Sequence, residues 1–355
     1  AFVDFDRERL LPKMVSMEGP FMAVADVNGD GLDDAYIGGA KDQAGQLLIQ
    51  RANGGFASTN EPVFAQDRIS EDVGAAFFDA NGDGSRDLYV VSGGSEFSDM
   101  APALQDRLYL NDGRGNFRKT SGQVPYDGTS GSRVVPADYD RDGDVDLFVG
   151  GRVVAGRYGL DPLSTLLQND GRGRFTDVTE KLAPALARIG MVTDALWTDV
   201  TGDGRLDLVV VGEWMPITVM RNTGGGKLEK MAAQGLEESE GWWNRIIAGD
   251  FNRDGRTDFI VGNLGLNTRL RASEVRVGYF KAAFDVPTAS ALPEYTDRAV
   301  MTAIQHAKKM KMANLSAHSE QFPPNGVYVI EARRAYLGTR FKGTIGSRPI
   351  RYLHS

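Results

Sequence analysis

Asp26-Val-Asn28-Gly-Asp30-Gly31-Leu-Asp33-Asp34 decides how the rest of this chain is read. It sets oxygen-bearing side chains at loop positions 1, 3, 5 and 9, with glycine at position 6. Alternate residues of a tight loop can converge on one hard cation, and the glycine permits the backbone turn between them. One acidic, glycine-rich turn is a weak signal, but this one has four further copies. They start at Asp79, Asp138, Asp199 and Asp250, at spacings of 53, 59, 61 and 51 residues. Positions 1, 5 and 9 are aspartate and position 6 is glycine in all five.

Position 7 varies freely, as expected of a residue that offers only its backbone carbonyl. The expected ligand sets are Asp26, Asn28, Asp30, Leu32 and Asp34; Asp79, Asn81, Asp83, Ser85 and Asp87; and Asp138, Asp140, Asp142, Asp144 and Asp146. The last two are Asp199, Thr201, Asp203, Arg205 and Asp207, then Asp250, Asn252, Asp254, Arg256 and Asp258. All-oxygen sets of this kind suit Ca2+, about five ions per chain. An EF-hand would need a bidentate glutamate at position 12 and flanking helices. Position 12 is instead Ile37, Val90, Val149, Val210 or Val261, inside short apolar runs such as Leu88-Tyr-Val90 and Leu208-Val-Val210. Such runs, bounded by glycine and aspartate, read as strands, and their unbroken apolarity predicts burial on both faces.

A second signature travels with the first. Leu108-Tyr-Leu-Asn111-Asp-Gly113-Arg-Gly115-Asn-Phe117 returns as Leu166-Leu-Gln-Asn169-Asp-Gly171-Arg-Gly173-Arg-Phe175, with looser copies around Asn222 and Asn53. Asn-Asp-Gly between apolar runs marks a β-hairpin. From each closing Phe or Leu to the next acidic loop is 21 to 24 residues, which leaves room for four strands per unit.

The paired motifs resemble the FG-GAP/VCBS repeats of calcium-binding β-propellers, the fold type of integrin α-subunit heads. Asp4-Phe-Asp-Arg-Glu-Arg-Leu-Leu-Pro12, Gly212-Glu-Trp-Met-Pro216, Gly241-Trp-Trp-Asn244 and Gly262-Asn-Leu-Gly-Leu-Asn267 further resemble bacterial VCBS proteins of the cartilage-acidic-protein-like (ASPIC/UnbV) group. The resemblance implies an all-β propeller of six or seven four-stranded blades, five with calcium loops. It also implies secretion or surface display, and adhesion more than any one reaction. Residues 1–20 are expected to add an edge strand that closes the ring, with their charged side chains as a solvated face; 21–290 hold the blades. Residues 291–355 are a basic region, a degenerate blade or an insertion with a helical segment at 301–311.

Composition agrees with this reading. The chain has 355 residues, 41% hydrophobic and 25% charged, with no cysteine for disulfides or thiolate chemistry. The 16 candidate ligand aspartates account for its net charge of −8, and five bound Ca2+ would bring the loaded chain to about +2. No apolar run is long enough to span a membrane, and any leader peptide is expected to be absent from this chain. His-Glu-x-x-His and Gly-x-Ser-x-Gly are missing, and His306, His318 and His354 read as isolated surface residues. Partners are expected to be a protein or a glycan at the cell surface, with no nucleic acid. Trp197, Trp214, Trp242 and Trp243 are candidates for a sugar-stacking surface, though packing between blades is the plainer role. A carbohydrate-active enzyme, or a structural subunit of a surface assembly, are the alternatives.

Overall fold

A computed structural model describes residues 2–9, 11–98, 100–232, 236 and 239–264, with the backbone of four short strands at 280–283, 327–330, 344–345 and 348–349. The helix expected at 301–311 and the three histidines lie outside the described residues. The rest is all-β. Strands β1 (Met22–Ala25), β2 (Asp34–Ile37), β3 (Gln46–Gln50) and β4 (Phe56–Thr59) form one antiparallel sheet in chain order. Strands β5 (Glu71–Phe78), β6 (Asp87–Gly93), β7 (Arg107–Asn111) and β8 (Phe117–Lys119) form the second. The third comprises β9 (Ser130–Ala137), β10 (Asp146–Val153), β11 (Thr165–Asn169) and β12 (Phe175–Asp177). In the fourth are β13 (Met191–Thr198), β14 (Asp207–Met215), β15 (Thr218–Gly224) and β16 (Lys227–Lys230). A fifth hairpin, β17 (Gly241–Gly249) with β18 (Asp258–Asn263), is tied to the fourth sheet through β14.

Alternation along the second strands stacks these sheets face to face. On β6, Leu88 and Val90 pack with Tyr36 and Leu47 of the first sheet, while Tyr89 and Val91 pack with Leu147 and Val149 of the third. The same division sends Leu208 and Val210 toward Phe148, and Val209 and Val211 toward Trp243. A strand between two neighbouring sheets has no polar face to show, which is why these runs are continuously apolar. The first and last units depart from that expectation. Met22, Val24 and Ile37 on one flank, and Ile247 and Ile260 on the other, are exposed, because each flank has a neighbour on one side only among the described residues.

First strands pack backbone against backbone. A Cβ on Gly74 of β5 would stand 2.7 Å from the Ser132 carbonyl of β9, so only glycine allows that approach. Arg133 of β9 and Arg245 of β17 both stand over the Phe21 ring, at 4.7 and 5.4 Å, which brings the fifth hairpin within reach of the first sheet.

The N-terminal segment corrects two expectations. Asp4–Arg7 is a helical turn, α1, where an edge strand was expected. Phe2, Val3 and Phe5 are exposed while Asp4 is buried, so the alternation there does not mark a core face. The charges that follow are only partly a solvated face: Arg7 and Arg9 are exposed, but Glu8 is buried and Lys13 half-buried.

Candidate functional site

In all five units the acidic loop is the hairpin between the first and second strands. Ala25 pairs with Asp34, Phe78 with Asp87, Ala137 with Asp146, Thr198 with Asp207 and Gly249 with Asp258. Position 12 therefore lies in the second strand, as the sequence requires. Two left-handed residues build each loop. Position 6 is always glycine; position 4 is Gly29, Gly82 or Gly202, but Arg141 and Arg253 hold it at φ +66° and +60°. The Asp26 carboxylate accepts the amides of Gly29 at 2.8 Å and Gly31 at 2.8 Å, which wraps the loop around it. Slight burial raises its pKa, and these amides outweigh that and hold it below the ordinary value.

The third loop shows most plainly what such an arrangement can hold. Carboxylate oxygens of Asp138, Asp140, Asp142 and Asp146 all lie within 4.8 Å of one another. These are positions 1, 3, 5 and 9. Asp138 Oδ1 and Asp146 Oδ2 are buried without a hydrogen-bond donor. Burial first, then the charges of Asp140, Asp142 and Asp138, push Asp146 up to about 8. Four converging carboxylates with orphaned oxygens are a fit for a hard divalent cation, which would reverse that repulsion. The other loops replace the position 3 carboxylate by Asn28, Asn81, Thr201 or Asn252, so they carry one charge fewer.

Position 9 does a further job that its spacing alone does not reveal. Asp34, Asp87, Asp146 and Asp207 are fully buried, and each accepts an amide at or near the end of the third strand, from Gln50, Asn111, Asn169 and Asn222 at 2.7–2.8 Å. The asparagine side chains then cross to the preceding sheet. Asn111 Nδ2 donates to the Val27 carbonyl at 2.7 Å, Asn169 Nδ2 to Ala80 at 2.9 Å and Asn222 Nδ2 to Tyr139 at 2.7 Å. Each acceptor is position 2 of an acidic loop. The Asn-Asp-Gly signature is thus a turn and also a staple onto the neighbouring loop. Asn169→Ala leaves the Ala80 and Val145 carbonyls unpaired, so it is expected to cost about 1–3 kcal/mol in a urea melt.

At the other end of the same hairpins, roughly 23 Å away along an eight-residue strand, lies a polar cluster of which the sequence singles out only Trp214 and Trp242. The N-terminal segment crosses this end. Arg7 donates to the Ser95 and Phe97 carbonyls at 2.7 and 2.6 Å, and Glu8 accepts the Tyr158 amide at 2.6 Å. Lys13 Nζ is 2.7 Å from both Glu18 and Glu213, and Arg152 bridges the same two carboxylates at 2.5–2.7 Å. Tyr158 donates to Glu213 at 2.6 Å and accepts from Trp214 Nε1 at 2.9 Å. Burial works against the Glu213 carboxylate, but Arg152 and Lys13 overcome it and hold its pKa low. Leu264 donates to the Trp242 carbonyl at 3.0 Å. Described residues of all four stretches therefore meet here, with Glu8 and Leu264 lying 256 positions apart. The sequence offered one signal, a tryptophan or charge-rich departure from the repeat, but no register to show convergence. Of the tryptophans, Trp242 and Trp243 are both buried, Trp197 stacks on Tyr139, and Trp214 is half-buried.

Next to this cluster Glu71 is buried, its Oε2 facing that of Glu96 beside Gly94, where a Cβ would stand 2.2 and 2.7 Å from the two oxygens. Burial, then Glu96, Asp4 and Asp72, raise Glu71 to about 8. An acid whose folded pKa lies above its unfolded one stabilises the fold below the unfolded value and loses that contribution as pH rises through the folded value. Stability is therefore expected to fall from about pH 4.5 to about pH 8, and Glu71→Gln should flatten that slope in thermal melts across the range.

Comparison with known proteins places the repeats. The sequence profile of the FG-GAP-like repeat matches residues 26–90, 79–149 and 199–261. The biofilm matrix protein Bap1 of V. cholerae is similar in structure at 16% identity and a TM-score of 0.32, over 70% of this chain and 35% of its own. A protein assigned as an exo-β-1,3-galactanase from Bifidobacterium bifidum s17 is similar at 12% identity and a TM-score of 0.34, over 65% of this chain and 76% of its own. The chain thus spans about a third of the Bap1 chain. No curated protein matches. Among the described residues no helix is long and apolar enough to cross a membrane.

Proposed function

This chain belongs to the FG-GAP-like repeat family, and from that premise we propose that it is a calcium-stabilised binding module of the cell exterior or surface, engaging a protein or glycan. Calcium sits in the five acidic loops, with side chains at positions 1, 3, 5 and 9 and the position 7 carbonyl as ligands. The observation that carries this is the third loop, where four carboxylates converge and two buried oxygens lack a donor. Loops of this type fill where calcium is plentiful, at about 10⁻⁴–10⁻³ M, which favours an extracellular site. The fold we infer is a β-propeller of six or seven blades. The face-to-face sheets, the reach of Arg245 to Phe21 and the exposed apolar flanks at Val24 and Ile260 support it. Kinship with the ASPIC/UnbV-type proteins is part of the same proposal, supported by the meeting of the four stretches that suggested it.

In this arrangement the metal loops fasten sheets, and recognition belongs to the surfaces they hold in place. Affinity capture from the native surface tests this. Partners should be retained with calcium and lost after chelation; no partner under either condition contradicts it. A carbohydrate-active enzyme on the same scaffold is the second reading, favoured by Lys13 lying 2.7 Å from two carboxylates. Release of new reducing ends from a polysaccharide would select it.

A further inference from the structure

Within the polar cluster, Trp214 has a backbone that its side chain does not favour. It stands at φ +59°, in the left-handed region that residues with a Cβ rarely adopt. The pairing of β14 with β17 explains why: Glu213 pairs with Trp242 and Met215 with Gly241, and the register shifts between them. Trp214 is the extra residue of this irregularity, a device that re-aims a side chain. Its indole nitrogen points inward to the Tyr158 hydroxyl at 2.9 Å, its ring lies 5.1 Å from that of Trp242, and it remains half-buried.

Two donors in the same cluster lack acceptors. Arg152 Nη1 and Trp242 Nε1 are buried, in residues only 4% exposed, and neither has a hydrogen-bond partner. Buried donors without acceptors are uncommon, and each calls for an oxygen. Charge does not call for an anion. Lys13 and Arg152 are matched by Glu18 and Glu213, so the cluster is neutral and offers donors and acceptors side by side. Lys13 and Glu18 keep 34% and 24% of their side chains open to solvent. A molecule with an apolar face and a rim of hydroxyls, each able to donate and accept, matches such a surface.

We propose that this end of the molecule holds a subsite for a neutral sugar ring. Trp214 is the stacking platform, and Lys13 and Glu18 contact the ring hydroxyls. The strained backbone at Trp214 is kept because it presents the indole to the ligand. This rests on the binding-module reading and says where binding occurs and to what.

The test titrates the full chain, in about 1 mM calcium, with cellohexaose, laminarihexaose and a β-linked galactohexaose, and with oligogalacturonate as the charged comparator. Tryptophan fluorescence and calorimetry report binding. Saturable binding of at least one neutral hexaose is expected. Trp214→Gly fits the left-handed backbone while removing the ring; it should melt near the unmodified protein and bind at least about tenfold more weakly. Trp214→Phe, which keeps an aromatic face, should stay within about threefold. If Trp214→Gly melts early, Lys13→Gln reads the same rim and should weaken binding about fivefold. Binding confined to oligogalacturonate, binding to none of the sugars, or neutral-sugar binding that these substitutions leave unchanged overturns the proposal. Those results with a partner still captured in calcium leave the binding-module reading intact; that reading fails separately, when capture retains nothing.

Discussion

Excess chelator is expected to lower the melting temperature by roughly 10–20 °C, and added calcium should restore it. With calcium at about 1 mM and site Kd values near 0.1 mM, each site contributes about 1.4 kcal/mol, and five contribute about 7 kcal/mol. That rivals the whole stability of an ordinary domain, about 5–15 kcal/mol. The effect should be cooperative along the chain, because each staple reaches a neighbouring loop. Loss of metal from the loop at Asp79 disturbs Ala80, and through Ala80 the side chain of Asn169 in the next sheet. The third loop, with four carboxylates where the others place Asn or Thr at position 3, should fill first. Asp140→Asn should remove that preference, read as terbium luminescence during calcium titration. A melting curve unaffected by chelator would contradict the fastener role.

Glu213→Ala is expected to cost about 3–5 kcal/mol, the largest loss from any single substitution at the opposite end. Glu213 is 1% exposed and holds Arg152, Lys13 and Tyr158 at once. Removing it leaves the buried Arg152 guanidinium and Lys13 to share Glu18 alone, and takes the acceptor from the Tyr158 hydroxyl. The cost comes from that excess buried positive charge and the unpaired hydroxyl, more than from the lost ion pair itself. Two controls separate these contributions. Glu213→Gln keeps one acceptor oxygen and should lose less. The double substitution Glu213→Leu with Arg152→Met removes both charges and should recover part of the loss. Urea melts at fixed calcium measure all three; a neutral Glu213→Ala would show that the cluster does not hold the N-terminal segment in place.

The repeat was legible because its chemistry is local. Position 1 to position 9 spans one hairpin loop, so Asp26 and Asp34 announce their geometry through spacing alone. The apolar run after each loop announced a strand with neighbours on both sides, and β6 and β14 fulfil it. Ile37 and Ile260 depart from it because a neighbour on each face is a property of the whole stack, not of the strand. The staples were half legible: Asn111-Asp-Gly113 reads as a turn from its own residues, but its bond to Val27 crosses 84 positions. The polar cluster was not legible as a site. Arg7, Glu8 and Lys13 look like a solvated segment until Ser95, Tyr158 and Glu213 are brought to them by three different sheets. The alternation of Phe2, Asp4 and Asp6 against Val3 and Phe5 likewise suggests a strand, while Asp4 is drawn inward by hydrogen bonds from Ser16 and Ser95, and its segment turns helical to deliver it.

On the proposed reading, five acidic loops, each closing the first hairpin of a sheet, bind calcium and hold the stack together. Counting bound calcium by equilibrium dialysis at about 1 mM free ion tests it most directly. About five ions per chain are expected, reduced by one in a variant carrying Asp79→Ala with Asp83→Ala. A chain that retains no calcium at that concentration would contradict it.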